Sequence, residues 1–214
     1  MQEKSKNKLF VLGILVILIG IIIGIAPIFA SKIKKIEEDN KIDDFLNNKN
    51  NIITEEVEIN TEEKSSEDAN NSSNINDDEN YIMLLEIPKI NLKRGLYQKN
   101  SKYNDIEYNV AILKEADMPN KENGNLILAG HNGTGEIAFF NKLDRLQTGD
   151  LVYIYYDEIK YIYEINNIYD VEKTGQVTIN RDKDQSVITL ITCKKNVKTK
   201  QVVYIGNLVN KENY

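Results

Sequence analysis

Three patterns of hydrophobic and polar positions succeed one another along the chain. From Leu9 to Ala30, 22 residues run without a charge; residues 36 to 80 are polar with no sustained period; from Tyr81 onward, short apolar runs alternate with Gly, Pro, Asn and Asp. Many residues in those last runs are β-branched or aromatic, which is the pattern of an all-β sandwich or barrel. Strands are predicted at 81–87, 90–94, 108–113, 125–130, 150–156, 159–171, 186–192 and 201–208. Within the longest, Ile159, Tyr161, Tyr163 and Ile165 alternate with Lys160, Ile162, Glu164 and Asn166, as two differing faces require. One helical piece is predicted where Ala138, Phe139, Leu143 and Leu146 recur at helical spacing before Gly149-Asp150 ends it. All 12 Tyr lie at or after residue 81, where half-buried pleated surfaces keep the ring covered and the hydroxyl wet.

The uncharged run has the length of a membrane span, because 22 residues at about 1.5 Å each give roughly 33 Å. The apolar core of a cleaved signal peptide is shorter, about 7 to 15 residues, and Ile28-Phe29-Ala30 is a poor small-x-small cleavage site. An uncleaved anchor over residues 9–30 is therefore expected, behind a tail of residues 1–8. Its orientation stays open on charge alone, since Lys4, Lys6 and Lys8 balance Lys32, Lys34 and Lys35. Residues 31–80 then form an acidic, Asn-rich spacer. A membrane-proximal helix is expected from Ile36 to about Leu46, and disorder beyond it, because so few apolar residues cannot offset ordering entropy. Residues 81–214 number 134, enough for one ordinary domain.

Charge follows the same division. Residues 36–80 hold 15 acids against 3 Lys, while residues 81–214 hold 17 acids against 18 Lys and Arg, so the net charge of −6 belongs to the spacer. A nearly neutral domain on an acidic tether has no basic face with which to displace counterions, and no nucleic-acid partner is expected. The chain has one Cys and one His, which excludes an internal disulfide and a four-ligand structural zinc site of the usual kind. Thiol or imidazole chemistry must use Cys193 and His131. Each ends a buried strand, Asn125 to His131 and Ser186 to Cys193. A sheet that brings those two ends together would give a nucleophilic thiol a partner able to accept and return a proton. Either residue alone is also at home as a small buried hydrophobe or a loop histidine.

Four blocks of residues 81–209, in order, resemble the sortase family, the membrane-anchored cysteine transpeptidases of Gram-positive bacteria. They are Leu85-Glu-Ile-Pro-Lys-Ile-Asn-Leu92, Gly124-Asn-Leu-Ile-Leu-Ala-Gly-His131, Phe139-Phe-Asn-Lys-Leu143 with Gly149-Asp150, and Thr189-Leu-Ile-Thr-Cys193. The resemblance implies an all-β, eight-stranded sortase-type barrel with one or two short helices, outside the membrane, and a cytoplasmic N-terminus. It also implies that Cys193 attacks the Thr-Gly carbonyl of an LPxTG-like sorting signal. His131 would protonate the departing amine and then deprotonate an incoming one from a peptidoglycan precursor or cross-bridge. Thr192 matches a position that contacts substrate or supports the oxyanion.

The chain departs from the family at the third catalytic position. Sortases usually carry an arginine at the start of the strand after the cysteine, where this chain has Gln201-Val-Val-Tyr-Ile-Gly206, and its three arginines, Arg94, Arg145 and Arg181, all precede Cys193. Gln201 keeps hydrogen-bond donors but no charge, and charge-assisted bonds are roughly twice as strong. Lys200 is offset by one residue, which turns it to the other face of a regular strand. Gln201 is therefore the expected third catalytic residue, with Lys200 reaching in through a bulge as the competing assignment. The alternative is an idle barrel that kept the fold as a peptide-binding module. No lid motif of Asp-Pro-aromatic type and no long insertion between residues 171 and 186 is present, which leaves class A or class D. No cofactor is expected; calcium, which some class A members use, would have to sit in the loop with Glu115, Asp117 and Glu122. A papain-like protease is disfavoured, because there Cys precedes His.

Overall fold

The computed structural model describes residues 2–50 and 80–214, with side chains described only in part before Phe29 and not at residues 48–50. The chain divides into two compact units, the first ending at Leu46. The first is helical. Helix α1 (Gln2–Asn50) takes in the uncharged run and continues through the segment expected to form a separate helix from Ile36. No Pro-Gly break separates the two stretches, and Glu37 and Lys41 form an i,i+4 pair of 3.8 Å that suits continuous helix. Among the described residues no helix is long and apolar enough to cross a membrane. The expected disorder of residues 51–79 lies outside the described residues.

The second unit is all-β. Its eight strands are β1 (Met83–Ile87), β2 (Leu92–Leu96), β3 (Ala111–Ile112), β4 (Asn125–Ala129), β5 (Leu151–Tyr156), β6 (Ile159–Glu172), β7 (Val187–Cys193) and β8 (Lys200–Asn213). They form one sheet in the order β2-β1-β5-β6-β8-β7-β4-β3, curled into a nearly closed barrel. The β4–β7 pair is parallel and the other ladders are antiparallel. Residues facing inward along the strands supply the core: Leu85 and Ile87, Val152 and Ile154, Tyr161 and Tyr163, Ile188 and Leu190 are all nearly inaccessible. Fully burying such an aliphatic side chain contributes about 1.5–3 kcal/mol. Two register shifts bend the long β6–β8 ladder, one leaving Val209 and the other Asn166 as the extra residue.

The sheet's two ends, β2 and β3, share no backbone ladder. A side chain spans this seam instead. Asn109, 1% exposed, accepts from Arg94 Nε and Nη2 through its Oδ1 at 3.0 and 2.9 Å and donates from Nδ2 to Gly95 O at 2.7 Å. Arg94 also lies over the Phe139 ring, 4.0 Å from its centroid. Gly95 is required here, since a Cβ would stand about 2.2 Å from the Tyr81 ring that covers it.

The helix expected from Ala138 to Leu146 is replaced by turns and a single 3-10 turn at Leu143–Arg145, with another at Pro88–Ile90 after β1. Phe140, which the helical spacing left out, is the fully buried ring, and its N–H donates to His131 O at 2.9 Å. That bond folds the segment back on the end of β4.

Burial of tyrosines makes the barrel sensitive to alkali. Tyr204 is pushed up to about 12, first by burial and then by Asp144 and Asp170. Burial, followed by Glu158 and Asp157, does the same to Tyr214. Tyr163 is raised further by burial, and so is Tyr155, whose hydroxyl also donates to Glu86 at 2.7 Å. A raised folded-state value gives stability that is complete below pH about 10 and lost as pH climbs through about 12. Absorbance at 295 nm should therefore rise in two stages, the second coinciding with loss of the β signal in circular dichroism. A single stage near pH 10 with the fold intact would refute this.

Candidate active site

The parallel β4–β7 pair sets the site. Its register runs from Asn125↔Val187 to Ala129↔Ile191, so two residues further on His131 and Cys193 leave adjacent strands at the same level. The strand ends are tied by hydrogen bonds: Gly130 N to Ile191 O at 3.2 Å, Thr192 Oγ1 to Gly130 O at 2.8 Å, and Asn132 Nδ2 to Cys193 O at 2.8 Å. Deeper in the pair, Thr189 Oγ1 donates to Asn125 Oδ1 at 2.8 Å, with both side chains buried. The Phe140 ring packs so closely on Gly130 that a Cβ there would meet it at 3.0 Å. The expectation that both strand ends share one rim is thus met by the backbone.

Strand β8 flanks the cysteine on its other side. Gln201 is the direct cross-strand partner of Cys193, and Val171 of β6 is in turn the partner of Gln201, so the three side chains share a face. That face is the outer one. Along it Val187, Val203 and Ile205 form a second, smaller cluster, covered by Val177 and Ile179 of the β6–β7 connection. Cys193 is partly exposed at its rim. Lys200 lies one residue out of phase with Gln201, and its ammonium is 3.7 Å from Glu172. Thr192 points the other way, 3% exposed, with its hydroxyl committed to Gly130 O.

Two neighbours of the pair were not legible beforehand. Glu107, in the β2–β3 connection, places Oε1 2.9 Å from His131 Nε2. A carboxylate can only accept, so Nε2 carries the proton and Nδ1 is left as the basic nitrogen of the neutral ring. Lys173, the first residue after β6, places Nζ 3.7 Å from Cys193 Sγ. Their contacts span 24 and 20 positions in the chain, beyond any local pattern.

Of the acidic loop, Asp117 spends one oxygen on Lys121 at 2.5 Å and the other on Asn125 N at 3.1 Å. The Lys121 bond is the main cause that holds its carboxyl below the ordinary value. Among the described residues, no three of His, Cys, Asp and Glu are grouped to hold a metal. A pocket of about 220 Å³ between the β1–β2 turn and the loop after His131 is lined by Ile90, Leu92, Glu136, Phe139 and Lys142, and by neither Cys193 nor His131.

Comparison with known proteins agrees with this architecture. The family model for the sortase domain matches residues 85–209. Sortase A of Bacillus anthracis is 31% identical over 137 residues, 62% of each chain. Sortase A of Listeria monocytogenes is 34% identical over 90 residues, 42% of this chain and 40% of that one. The chain thus spans less than two thirds of these relatives. Among solved structures, a Clostridium perfringens sortase D5 transpeptidase superposes with a TM-score of 0.51 at 28% identity, covering 61% of this chain and 80% of that one. With a family model matched across more than half its length and a barrel of the same kind, this chain belongs to the sortase family.

Proposed function

We propose that the chain is a cysteine transpeptidase that cleaves an LPxTG-like sorting signal between Thr and Gly and transfers the acyl part to an amine of a peptidoglycan precursor or cross-bridge. The observation that carries this reading is the parallel β4–β7 pairing, which brings the chain's one imidazole and one thiol to the same end of neighbouring strands. The thiol proton passes to His131 Nδ1, and the thiolate attacks the Thr carbonyl carbon. Gln201, on the same face as Cys193, donates its amide to the oxyanion. As the C–N bond breaks, the imidazolium returns its proton to the leaving amine and a thioester remains. An incoming amine then gives a proton to His131 as it displaces the sulfur. Glu107 positions the ring throughout, and Thr192 holds the two strand ends in register. The reaction so written uses no cofactor.

The N-terminal helix serves this reading as a single-pass anchor over residues 9–30, with residues 1–8 cytoplasmic, residues 31–80 a spacer and residues 81–214 the extracellular catalytic barrel. Ile22, Ile23 and Phe29 are each more than 60% exposed, as lipid-facing side chains would be. Sortases are typically membrane-associated enzymes of the cell surface.

The test mixes the full-length protein in detergent with an LPxTG-type peptide and hydroxylamine. Mass spectrometry should find the peptide hydroxamate, and, without hydroxylamine, a thioester on Cys193. Peptide binding without either product would replace this reading with that of an idle peptide-binding barrel.

A further inference from the structure

We propose that Lys173 is the catalytic cation of this site, supplying from the end of β6 the positive charge that Gln201 lacks. Its Nζ stands 3.7 Å from Cys193 Sγ. Register explains the reach. Val171, Gln201 and Cys193 lie in one row across β6, β8 and β7, and Lys173 is two residues beyond Val171, hence on the same face. Its N–H donates to Thr199 O at 2.7 Å, which carries the β6–β8 ladder past the last strand pair and fixes where the side chain begins.

The surrounding lysines single it out. Lys194 is paired with Asp170, Lys195 with Asp144 at 3.0 Å, and Lys200 with Glu172 at 3.7 Å. Each of these three has its charge offset by a carboxylate, whereas among the described residues Lys173 has the thiol and no carboxylate partner. A cation beside the sulfur attracts an anion that approaches it, and the same charge stands near the oxyanion that forms when the sulfur attacks. Lys173 gains and loses no proton in the cycle; the proton of the thiol travels through His131 as before. The assignment rests on the acyl-transfer reading above only for its role in turnover, not for the charge at the sulfur.

That separation makes the test. Because Cys193 is the only cysteine, alkylation of the full-length protein reports on it alone. Anionic iodoacetate and neutral iodoacetamide are compared at one pH, so that their rate ratio measures local charge. Lys173→Met should lower the ratio by about three- to tenfold, as expected for one partly exposed charge. Lys173→Arg should keep it, and Lys173→Glu should lower it further. In turnover, Lys173→Met should reduce kcat with KM little changed, and Lys173→Arg should restore it. An unchanged ratio in both the Met and Glu variants overturns the assignment, even if the peptide is still turned over. A ratio lowered by Lys173→Met, alongside a wild-type protein that turns over no peptide, instead upholds the charge and sinks the transpeptidase reading.

Discussion

Cys193→Ala is expected to leave the barrel folded and to abolish acyl-enzyme formation entirely. Cys193 ends β7 at the rim, partly exposed, so replacing its sulfur creates no enclosed cavity. The strand is held from elsewhere, by the ladders to β4 and β8 and by the Thr192–Gly130 bond, none of which involves the thiol. With no second cysteine in the chain, no other residue can replace the nucleophile. His131→Ala should keep a slow residual reaction, about 10²- to 10⁴-fold below wild type, because a thiolate can form without its base but the leaving amine then departs unprotonated. Intact-protein mass spectrometry after mixing with peptide, alongside the thermal midpoint of each variant, decides the matter. Near wild-type transfer by either variant would remove the pair from the mechanism.

The second large effect is expected at Gln201. Its position opposite Cys193 puts its amide on the nucleophile's face, and losing one oxyanion donor costs about 10²- to 10³-fold in kcat. Gln201→Ala should therefore lower kcat/KM by about ten- to a thousandfold, the lower end reflecting a neutral donor. Gln201→Arg should equal or exceed wild type. Lys200→Ala should change little, since that ammonium is turned to the other face and engaged with Glu172. The reverse pattern, with Lys200→Ala inactive and Gln201→Ala normal, would mean that the end of β8 rearranges when substrate binds.

Much of this arrangement was legible in the residues themselves. All eight strands overlap the ranges that alternation and turn residues give, because a strand with one covered face writes its register into every second residue, although β2 lies two residues later than expected, β3 is only Ala111–Ile112 and β8 runs on to Asn213. The strand-end positions of His131 and Cys193 were legible for the same reason. The segment from Ala138 to Leu146 was misread: its apolar spacing is helical, yet the Phe140–His131 backbone bond decides its path, and no local period encodes a tertiary bond. The roles of Glu107 and Lys173 carry no local signal, because each reaches its partner across the sheet from a loop whose own sequence reads as ordinary surface. The Asn109 seam was hidden likewise, since one buried amide among so many Asn carries no mark of its neighbours.

The parallel pairing of β4 with β7 also governs when the molecule can react. Gly130 and Thr192, which bind each other at the mouth of the site, are 62 positions apart, and a parallel pair cannot form through a tight hairpin. A ribosome that has finished β6 has made an imidazole and no thiol, and one that has just made the thiol has yet to make β8. Closing so long a loop is a tertiary event that local structure cannot anticipate. Reactivity therefore arrives with the completed topology. On the proposed mechanism, a nascent chain has its thiol without the base and without the oxyanion donor, and would be spared from acylating itself on peptides met before its barrel has closed.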